Sequence, residues 1–118
     1  MKKIIFYSYL KCSTCRKAAK WLQNKDFEFE IIDIIKEPPL FDYLNLALEH
    51  YNNDTKSIFN TRVTAFRSIN LDIYSLTNER IIQLLLSDCK LIKRPFLVYE
   101  EKKVILGFNE IEYAKQFM

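Results

Sequence analysis

The residues of this chain best suited to chemistry are two cysteines, Cys12 and Cys15, separated by Ser13 and Thr14. They follow a short apolar run at residues 4–7 and open a segment with helical spacing. A Cys-x-x-Cys pair in this setting is typical of a dithiol redox site. Because the free N–H groups at the start of a helix face the first sulfur, we expect Cys12 to be the nucleophile. Cys15 lies one turn further on the apolar side, so we expect it to be less exposed and to resolve a mixed disulfide on Cys12.

Residues next to the cysteines should influence their reactivity. Lys11 and Arg16 bring positive charge close to Cys12, which favours its thiolate. Ser13 and Thr14 are the two intervening residues that tune the reduction potential of such a pair. We therefore count Ser13, Thr14 and Arg16 as candidate substrate-binding residues.

Two other interpretations of the cysteines are open. Both could be structural, with one simply buried. A zinc site would need two further ligands, and the chain offers only Cys89 and His50, without the spacing of a zinc motif. We expect Cys89 to be a core or loop thiol and His50 to be a surface or capping residue, and we predict no metal site.

The composition limits the class of protein. The 118 residues are 49% hydrophobic and 28% charged, with one Gly and three Pro, so we expect a single folded domain over residues 1–118. A net charge of +3 is too small to indicate direct nucleic-acid binding. No apolar run approaches the ~18 residues of a membrane span. The apolar run after Lys2-Lys3 is too short for a signal peptide and is interrupted by Ser8 and Lys11, so we expect a cytoplasmic protein. In that reducing compartment, three cysteines favour reactive or buried thiols over a structural disulfide framework.

The first third of the chain predicts a βαβ unit. Residues 2–7 read as a buried strand, residues 13–25 as an amphipathic helix, and residues 27–35 as a second strand. Such a unit pairs its two strands in parallel through a right-handed crossover. The dithiol would then lie where the first strand passes into the helix.

The rest of the chain predicts helices followed by a hairpin and a last helix. After Pro38-Pro39, we predict a helix at 40–51, a turn at 52–54 and short helical pieces at 55–71, with Leu71 among the core candidates. A further helix is capped by Thr77. Strands at 96–99 and 103–106 then form a hairpin, and Asn109 with Glu112 caps the last helix. Gly107 stands between hairpin and helix, where an unusual backbone angle or a close approach is expected.

The order of elements predicts an α/β thioredoxin-like fold. It is βαβ, then ββα, with a mixed sheet of about four strands and a helical insertion at about 40–90. In thioredoxin folds a cis-proline precedes the third strand and packs against the dithiol, and Pro95 occupies that place after Arg94. We therefore expect Pro95 to shape the substrate groove and Arg94 to donate to an anion or to the Cys12 thiolate.

Several motifs resemble the arsenate reductase (ArsC)/Spx family, and the resemblance covers nearly the whole chain. They are Cys12-x-x-Cys15-Arg16-Lys17-Ala18 with Trp21-Leu22, Glu37-Pro38-Pro39, Phe59-Asn60-Thr61, Leu91-Ile92-Lys93-Arg94-Pro95 and Gly107-Phe108-Asn109-Glu110. The combination is similar above all to the small, glutaredoxin-related members that carry a Cys-x-x-Cys pair.

The resemblance implies specific roles for site residues. Arsenate reductases of this family use one cysteine with glutathione and glutaredoxin, and hold the oxyanion with three arginines. Cys12 and Arg94 match two of those four positions. Asn60 and Gly107 stand about where the other two arginines fall, and Arg62 is the nearest substitute for the first. Asn60 and Arg62 are therefore further candidate binding residues.

The leading hypothesis is a thiol–disulfide oxidoreductase in which Cys12, Cys15 and Arg94 are catalytic. It needs no metal or flavin, only an external thiol reductant such as glutathione, glutaredoxin or thioredoxin, and its substrate would be a protein or small-molecule disulfide. The second hypothesis is a redox-sensing regulator similar to Spx, which the resemblance links to the C-terminal domain of the RNA polymerase α subunit. The third is a glutathione- and glutaredoxin-dependent arsenate reductase.

Overall fold

A four-stranded mixed sheet forms the centre of the molecule. The computed structural model describes residues 3–51, 54–70 and 72–118. The strands are β1 (Ile4–Ser8), β2 (Glu30–Asp33), β3 (Phe96–Tyr99) and β4 (Lys103–Leu106), in the spatial order β2-β1-β3-β4. β1 pairs in parallel with β2 and antiparallel with β3, and β3 pairs antiparallel with β4. The predicted βαβ unit and hairpin are both present, and the thioredoxin-like α/β fold is confirmed.

Helices cover both faces of the sheet because the side chains of its central strands alternate. Ile5 and Tyr7 of β1 face one hydrophobic cluster, whereas Ile4 and Phe6 face the other. The helices are α1 (Ser13–Asn24), α2 (Phe41–His50), α3 (Thr64–Arg67), α4 (Asn78–Ser87) and α5 (Glu110–Phe117). Helices α2 and α4 pack on the first face, and α1 and α5 pack on the second. Both faces of β1 and β3 are therefore buried, as their nearly continuous apolar sequences require.

Helix α1 is held in place by an aromatic cluster. Ala18, Trp21 and Leu22 form its buried stripe at helical spacing. The Trp21 ring meets Tyr113 of α5 edge to face, with centroids 5.5 Å apart, and lies 6.3 Å from Phe117. The position of the dithiol thus depends on packing at the opposite end of the chain.

Strand β2 is shorter than the sequence indicates. The strand predicted at 27–35 covers only Glu30–Asp33 in the structure. Asp33 Oδ1 accepts hydrogen bonds from the backbone N–H groups of Ile35 at 2.9 Å and Lys36 at 3.4 Å. These local hydrogen bonds turn the chain and end the strand. The next residue, Ile34, is fully buried, and its N–H still donates to the Ser8 carbonyl at 3.0 Å. The strand itself is confirmed, but its predicted C-terminal end was wrong because an apolar pattern does not show where a side chain hydrogen-bonds to the backbone.

The helical insertion between β2 and β3 agrees with its predicted elements. It contains α2, α3, α4 and three short 3₁₀ turns at Thr55–Ile58, Ile73–Ser75 and Cys89–Leu91. Thr77 caps α4 as expected, because its Oγ1 accepts from the Arg80 N–H at 3.2 Å. Asn52 and Asn53 of the predicted turn and the core candidate Leu71 lie outside the described residues.

The hairpin and the last helix enclose Gly107. Asn109 Oδ1 accepts from the Glu112 N–H at 3.1 Å, which confirms the predicted cap of α5. Gly107 has a φ of 71°, a left-handed conformation that favours glycine. Its carbonyl accepts a hydrogen bond from the buried Tyr113 hydroxyl at 3.1 Å. Burial raises the pKa of Tyr113, so this hydroxyl stays protonated and keeps donating.

No helix among the described residues is long and apolar enough to cross a membrane.

Replacing Tyr113 by Phe should lower the free energy of unfolding by about 1–3 kcal/mol, because the buried Gly107 carbonyl loses its donor. Urea denaturation followed by the fluorescence of Trp21 measures the change. Tyr74→Phe is the matched control, since Tyr74 is 63% exposed. Equal stability of the two variants would mean that the hydroxyl contributes nothing to the fold.

Candidate functional site

Cys12 is the N-cap residue of α1. Its backbone is extended, and its Sγ accepts a hydrogen bond from the Cys15 N–H at 3.3 Å. The Cys12 N–H donates to the Tyr9 carbonyl at 3.0 Å, which holds the loop between β1 and α1. The first sulfur therefore lies against the positive end of the helix, as predicted from the sequence. Cys12 is partly exposed, and all three cysteines are reduced thiols.

Cys15 lies beneath Cys12 and is 1% exposed. Burial, and then the hydrogen bond between its thiol and Cys12, raise the pKa of Cys15 to about 11. The Tyr9 backbone and the Ser8 hydroxyl act in the opposite direction. Cys15 is therefore protonated at neutral pH, while groups that stabilise its thiolate are already in place. Its thiol is within hydrogen-bonding reach of the Cys12 sulfur, the proximity that an intramolecular disulfide needs.

The guanidinium of Arg94 is buried in part, and two of its nitrogens lack hydrogen-bond acceptors. Its Nε and Nη1 are buried and have no hydrogen-bond partner. The guanidinium is held by the ring of Tyr9, whose centroid lies 4.7 Å from Cζ. The structure thus places Arg94 beside the loop that carries Cys12, but neither of these nitrogens donates to the Cys12 sulfur. The Arg94–Pro95 peptide bond is cis, as expected.

An open cleft of about 710 Å³ lies over Cys12. Six predicted site residues line it: Cys12, Ser13, Thr14, Asn60, Arg62 and Arg94. The other lining residues come from the same loop, the insertion, the end of β4, the turn after it and the start of α5: Lys11, Phe59, Thr61, Val63, Lys93, Leu106, Gly107, Phe108, Asn109 and Glu112. Residues distant in sequence thus converge on one thiol.

Three predicted site residues lie outside this lining. Cys15 lies beneath Cys12. Arg16 is exposed, and its Nη1 donates to the Leu10 carbonyl at 2.9 Å. Pro95 is buried, and its carbonyl accepts from the Gly107 N–H at 2.9 Å. In this geometry Arg16 supports the loop before Cys12, and Pro95 supports the turn at Gly107.

Main-chain pairing brings the insertion to the cleft. Phe59 and Ile92 form an isolated antiparallel bridge. The Lys93 N–H donates to the Ile58 carbonyl at 2.9 Å, and the Asn60 N–H donates to Leu91 at 2.7 Å. Asn60 is thereby fixed next to the segment that leads into Arg94. Its Oδ1 accepts from the Arg62 N–H at 3.2 Å, which shapes the next turn.

Sequence reasoning missed three residues of this region. Tyr9 carries Arg94 on its ring, while Lys93 and Glu112 line the cleft. Lys93 directly precedes Arg94, and in the sequence Glu112 indicates only a helix cap. The tertiary contacts that bring them together are long-range, so no spacing in the sequence indicates them.

No group of three His, Cys, Asp or Glu side chains that could hold a metal ion occurs among the described residues. Cys89 is partly buried at the 3₁₀ turn before β3. Burial, and then the Asp88 carboxylate, raise the pKa of Cys89, which makes it a poor nucleophile. His50 is exposed at the end of α2, and its ring meets Tyr51 edge to face. Both agree with the roles expected from the sequence.

A model of the ArsC family matches residues 7–116. The uncharacterized protein YusI of Bacillus subtilis is 38% identical over 116 residues, covering 97% of this chain and 98% of YusI. The regulatory protein MgsR of the same species is 33% identical, covering 97% of this chain and 90% of MgsR. The global transcriptional regulator Spx of Lactiplantibacillus plantarum is 32% identical, covering 95% of this chain and 84% of Spx.

A solved structure also resembles the whole chain. It is described as a possible arsenate reductase from Streptococcus mutans UA159. The TM-score is 0.86 at 35% identity, and the match covers 97% of this chain and 98% of the other. The similarity therefore includes the helical insertion as well as the sheet.

Alkylation should distinguish the two cysteines of the pair. In a Cys89→Ser background near pH 8, we expect iodoacetamide to modify Cys12 and leave Cys15 intact, because Cys15 is buried and protonated. Labelling of Cys15 should increase as the pH rises towards about 11, where its thiolate forms. Mass spectrometry of peptides measures both rates.

The unfolded protein in denaturant is the control, since both thiols should then react at similar rates. Equal labelling of Cys12 and Cys15 in the folded protein near pH 8 would contradict the assigned geometry.

Proposed function

This chain belongs to the ArsC family, and we propose that within it the protein is a thiol–disulfide oxidoreductase in which Cys12 attacks and Cys15 resolves. The observation that carries the proposal is the contact between the Cys12 Sγ and the Cys15 N–H at the start of α1. An anionic sulfur accepts such a hydrogen bond more strongly than a neutral thiol does.

The reaction transfers two electrons from the dithiol to a substrate disulfide. The Cys12 thiolate bonds to one substrate sulfur, the substrate S–S bond breaks, and the other sulfur leaves as a thiolate that takes up a proton. Cys15 then loses its proton and attacks Cys12. The mixed disulfide breaks, the second substrate thiol leaves, and a Cys12–Cys15 disulfide remains. An external thiol such as glutathione, glutaredoxin or thioredoxin restores the dithiol.

The surroundings supply the electrostatics of this cycle. The Ser8 hydroxyl and the Tyr9 backbone favour the Cys15 thiolate, which helps the resolving step. Arg94 offers two buried nitrogens without a hydrogen-bond acceptor, and the cleft gives a substrate access to Cys12. Each step uses sulfur and proton chemistry alone, so the proposal needs no metal or flavin, and it fits a protein of the reducing cytoplasm.

Replacing Cys12 by Ser should reduce the rate of hydroxyethyl disulfide reduction, with glutathione as reductant, to the rate in buffer. The serine hydroxyl cannot form the mixed disulfide. In Cys15→Ser we expect the mixed disulfide on Cys12 to accumulate, because the resolving sulfur is missing, and mass spectrometry detects the adduct.

Cys89→Ser is the control and should keep the rate of the unaltered protein. Activity retained in Cys12→Ser, or a Cys15→Ser protein that forms no adduct, would overturn the assigned roles.

A second candidate function is redox-sensitive regulation through a protein partner. Two observations favour it: MgsR and Spx, which match nearly the whole chain, are described as regulators, and the dithiol caps a helix whose start must change when the disulfide forms. The partner expected from the resemblance to Spx is the C-terminal domain of the RNA polymerase α subunit, without direct contact to nucleic acid.

If this second function holds, the immobilised α-subunit domain should capture the protein, and the captured amount should differ between diamide and dithiothreitol. Oxidation replaces the hydrogen bond at the helix start by a covalent bond, which moves the surface there. Cys12→Ser should be captured equally under both conditions. Absence of capture under both conditions would exclude the α-subunit domain as the partner.

Arsenate reduction is the third candidate. Cys12, Arg62 and Arg94 line one cleft, as an oxyanion site would require. Asn60 and Gly107 stand at positions where the resemblance implies arginines, and each missing charge-assisted contact costs about 1.5–3 kcal/mol. Disulfide reduction is therefore the better-supported activity.

A further inference from the structure

Lys93 takes space that a side chain at Gly107 would occupy. A Cβ built on Gly107 would lie 3.3 Å from the Cε of Lys93, a tighter approach than ordinary van der Waals contact. Gly107 is buried and has a φ of 71°. The missing Cβ and the left-handed backbone therefore let the aliphatic part of Lys93 lie across the turn after β4. Lys93 is exposed, and its ammonium reaches solvent at the cleft.

The cleft around Lys93 is strongly cationic. Its lining contains four positive side chains, Lys11, Arg62, Lys93 and Arg94, against one carboxylate, Glu112. None of these five forms an ion pair with another described residue. Arg94 also keeps two buried nitrogens without an acceptor. These positive charges are thus available to an incoming anion.

The walls of the cleft increase the effect of these charges. Phe59, Leu106 and Phe108 contribute apolar surface to the lining. Low-dielectric walls concentrate the field of charges of one sign and raise the local concentration of an oppositely charged substrate. The ammonium of Lys93 is a compact point charge, which attracts an anion without requiring a particular geometry.

We propose that Lys93, lying across Gly107, is a specificity-determining residue that makes the cleft prefer disulfides with a carboxylate or another anion close to the reactive sulfur. The inference rests on the proposed attack by Cys12 and names the class of substrate for that step. Cys12 forms the new S–S bond and the substrate S–S bond breaks as before, while Lys93 attracts the anion and exchanges no proton.

Three small disulfides of similar size test the preference. Dithiodipropionate is anionic, hydroxyethyl disulfide is neutral and cystamine is cationic. The reduced full chain is mixed with each, and formation of the Cys12–Cys15 disulfide is followed by mass spectrometry. We expect the second-order rate constants to fall in that order. Lys93→Met should lower the ratio of the anionic to the neutral rate constant by about threefold or more.

Two variants control for loss of charge and loss of shape. Lys102→Met removes the same charge from the β3–β4 hairpin, at the far end of β3 from Arg94, and should leave the ratio unchanged. Lys93→Arg keeps a positive charge and should retain most of the preference. Added salt should reduce the ratio for the unaltered protein, because it screens exposed charges.

Alkylation of Cys12 supplies a readout that does not require disulfide reduction. The ratio of its rates with iodoacetate, an anion, and with neutral iodoacetamide should fall in Lys93→Met and stay constant in Lys102→Met. The same sulfur attacks the iodine-bearing carbon of both reagents and displaces iodide, so the ratio reports the electrostatic potential at Cys12 rather than its general reactivity.

The outcomes separate this inference from the proposed function. If none of the three disulfides oxidises the dithiol, the oxidoreductase proposal fails, and with it the substrate class. If all three react but the ratio is the same in Lys93→Met and Lys102→Met, the oxidoreductase proposal stands and the role of Lys93 is overturned. An alkylation ratio unaffected by Lys93→Met would overturn that role as well.

Discussion

The hydrogen bond from the Cys15 N–H to the Cys12 Sγ is the interaction on which the site depends. It makes a sulfur the cap of α1, a position usually taken by Ser, Thr, Asp or Asn. A neutral thiol is a weak acceptor, whereas a thiolate accepts strongly and gains from the helix dipole. A Cys12 thiolate, the form that the proposed reaction requires, would therefore cap the helix better than the thiol. In that proposal, formation of the Cys12–Cys15 disulfide would remove the acceptor charge and so link the redox state of the pair to the conformation of the helix start.

The aromatic cluster between α1 and α5 fixes the position of the helix that carries Cys12. Trp21 packs against Tyr113 and Phe117 of α5, so a shift of α1 along the sheet would break these ring contacts. Tyr113 also donates to Gly107 at the edge of the cleft. The same residue thus connects the helix that carries the dithiol with the turn that lies under Lys93. Packing on this face of the sheet therefore positions two parts of the cleft, the loop at Cys12 and the turn at Gly107.

Much of the fold could be predicted from local patterns, because its elements follow their own periodicity and caps. The stripe on α1 and the caps at Thr77 and Asn109 depend on residues within one or two turns of each other. The end of β2 at Asp33 could not be predicted from apolar residues, since a side-chain hydrogen bond overrides them. Local reasoning placed Arg16 near Cys12, but its guanidinium binds the Leu10 carbonyl.

The parts of the site that escaped prediction are those that join distant segments. Tyr9 meets Arg94 across 85 residues of sequence, and Lys93 meets Gly107 only because β3 and β4 fold back on each other. The hydrophobic periodicity of a strand or helix does not indicate which distant residues it will contact. A sequence motif can therefore indicate a candidate reactive sulfur before the structure is known, whereas the positions of Lys93 at Gly107 and of Arg94 on Tyr9 are visible only in the folded chain.

The environment of Cys15 affects the same reaction step in the enzyme and regulator hypotheses. Burial keeps its thiol protonated, which in the proposed cycle would slow attack on a mixed disulfide at Cys12. Ser8 and Tyr9 oppose that effect and would speed the step. An oxidoreductase needs the second influence to dominate once a substrate is attached, because turnover requires release. A sensor also has to form the Cys12–Cys15 disulfide before a partner can respond to it. In both hypotheses, the balance of burial against those two contacts therefore sets how quickly the mixed disulfide on Cys12 is converted to the Cys12–Cys15 disulfide.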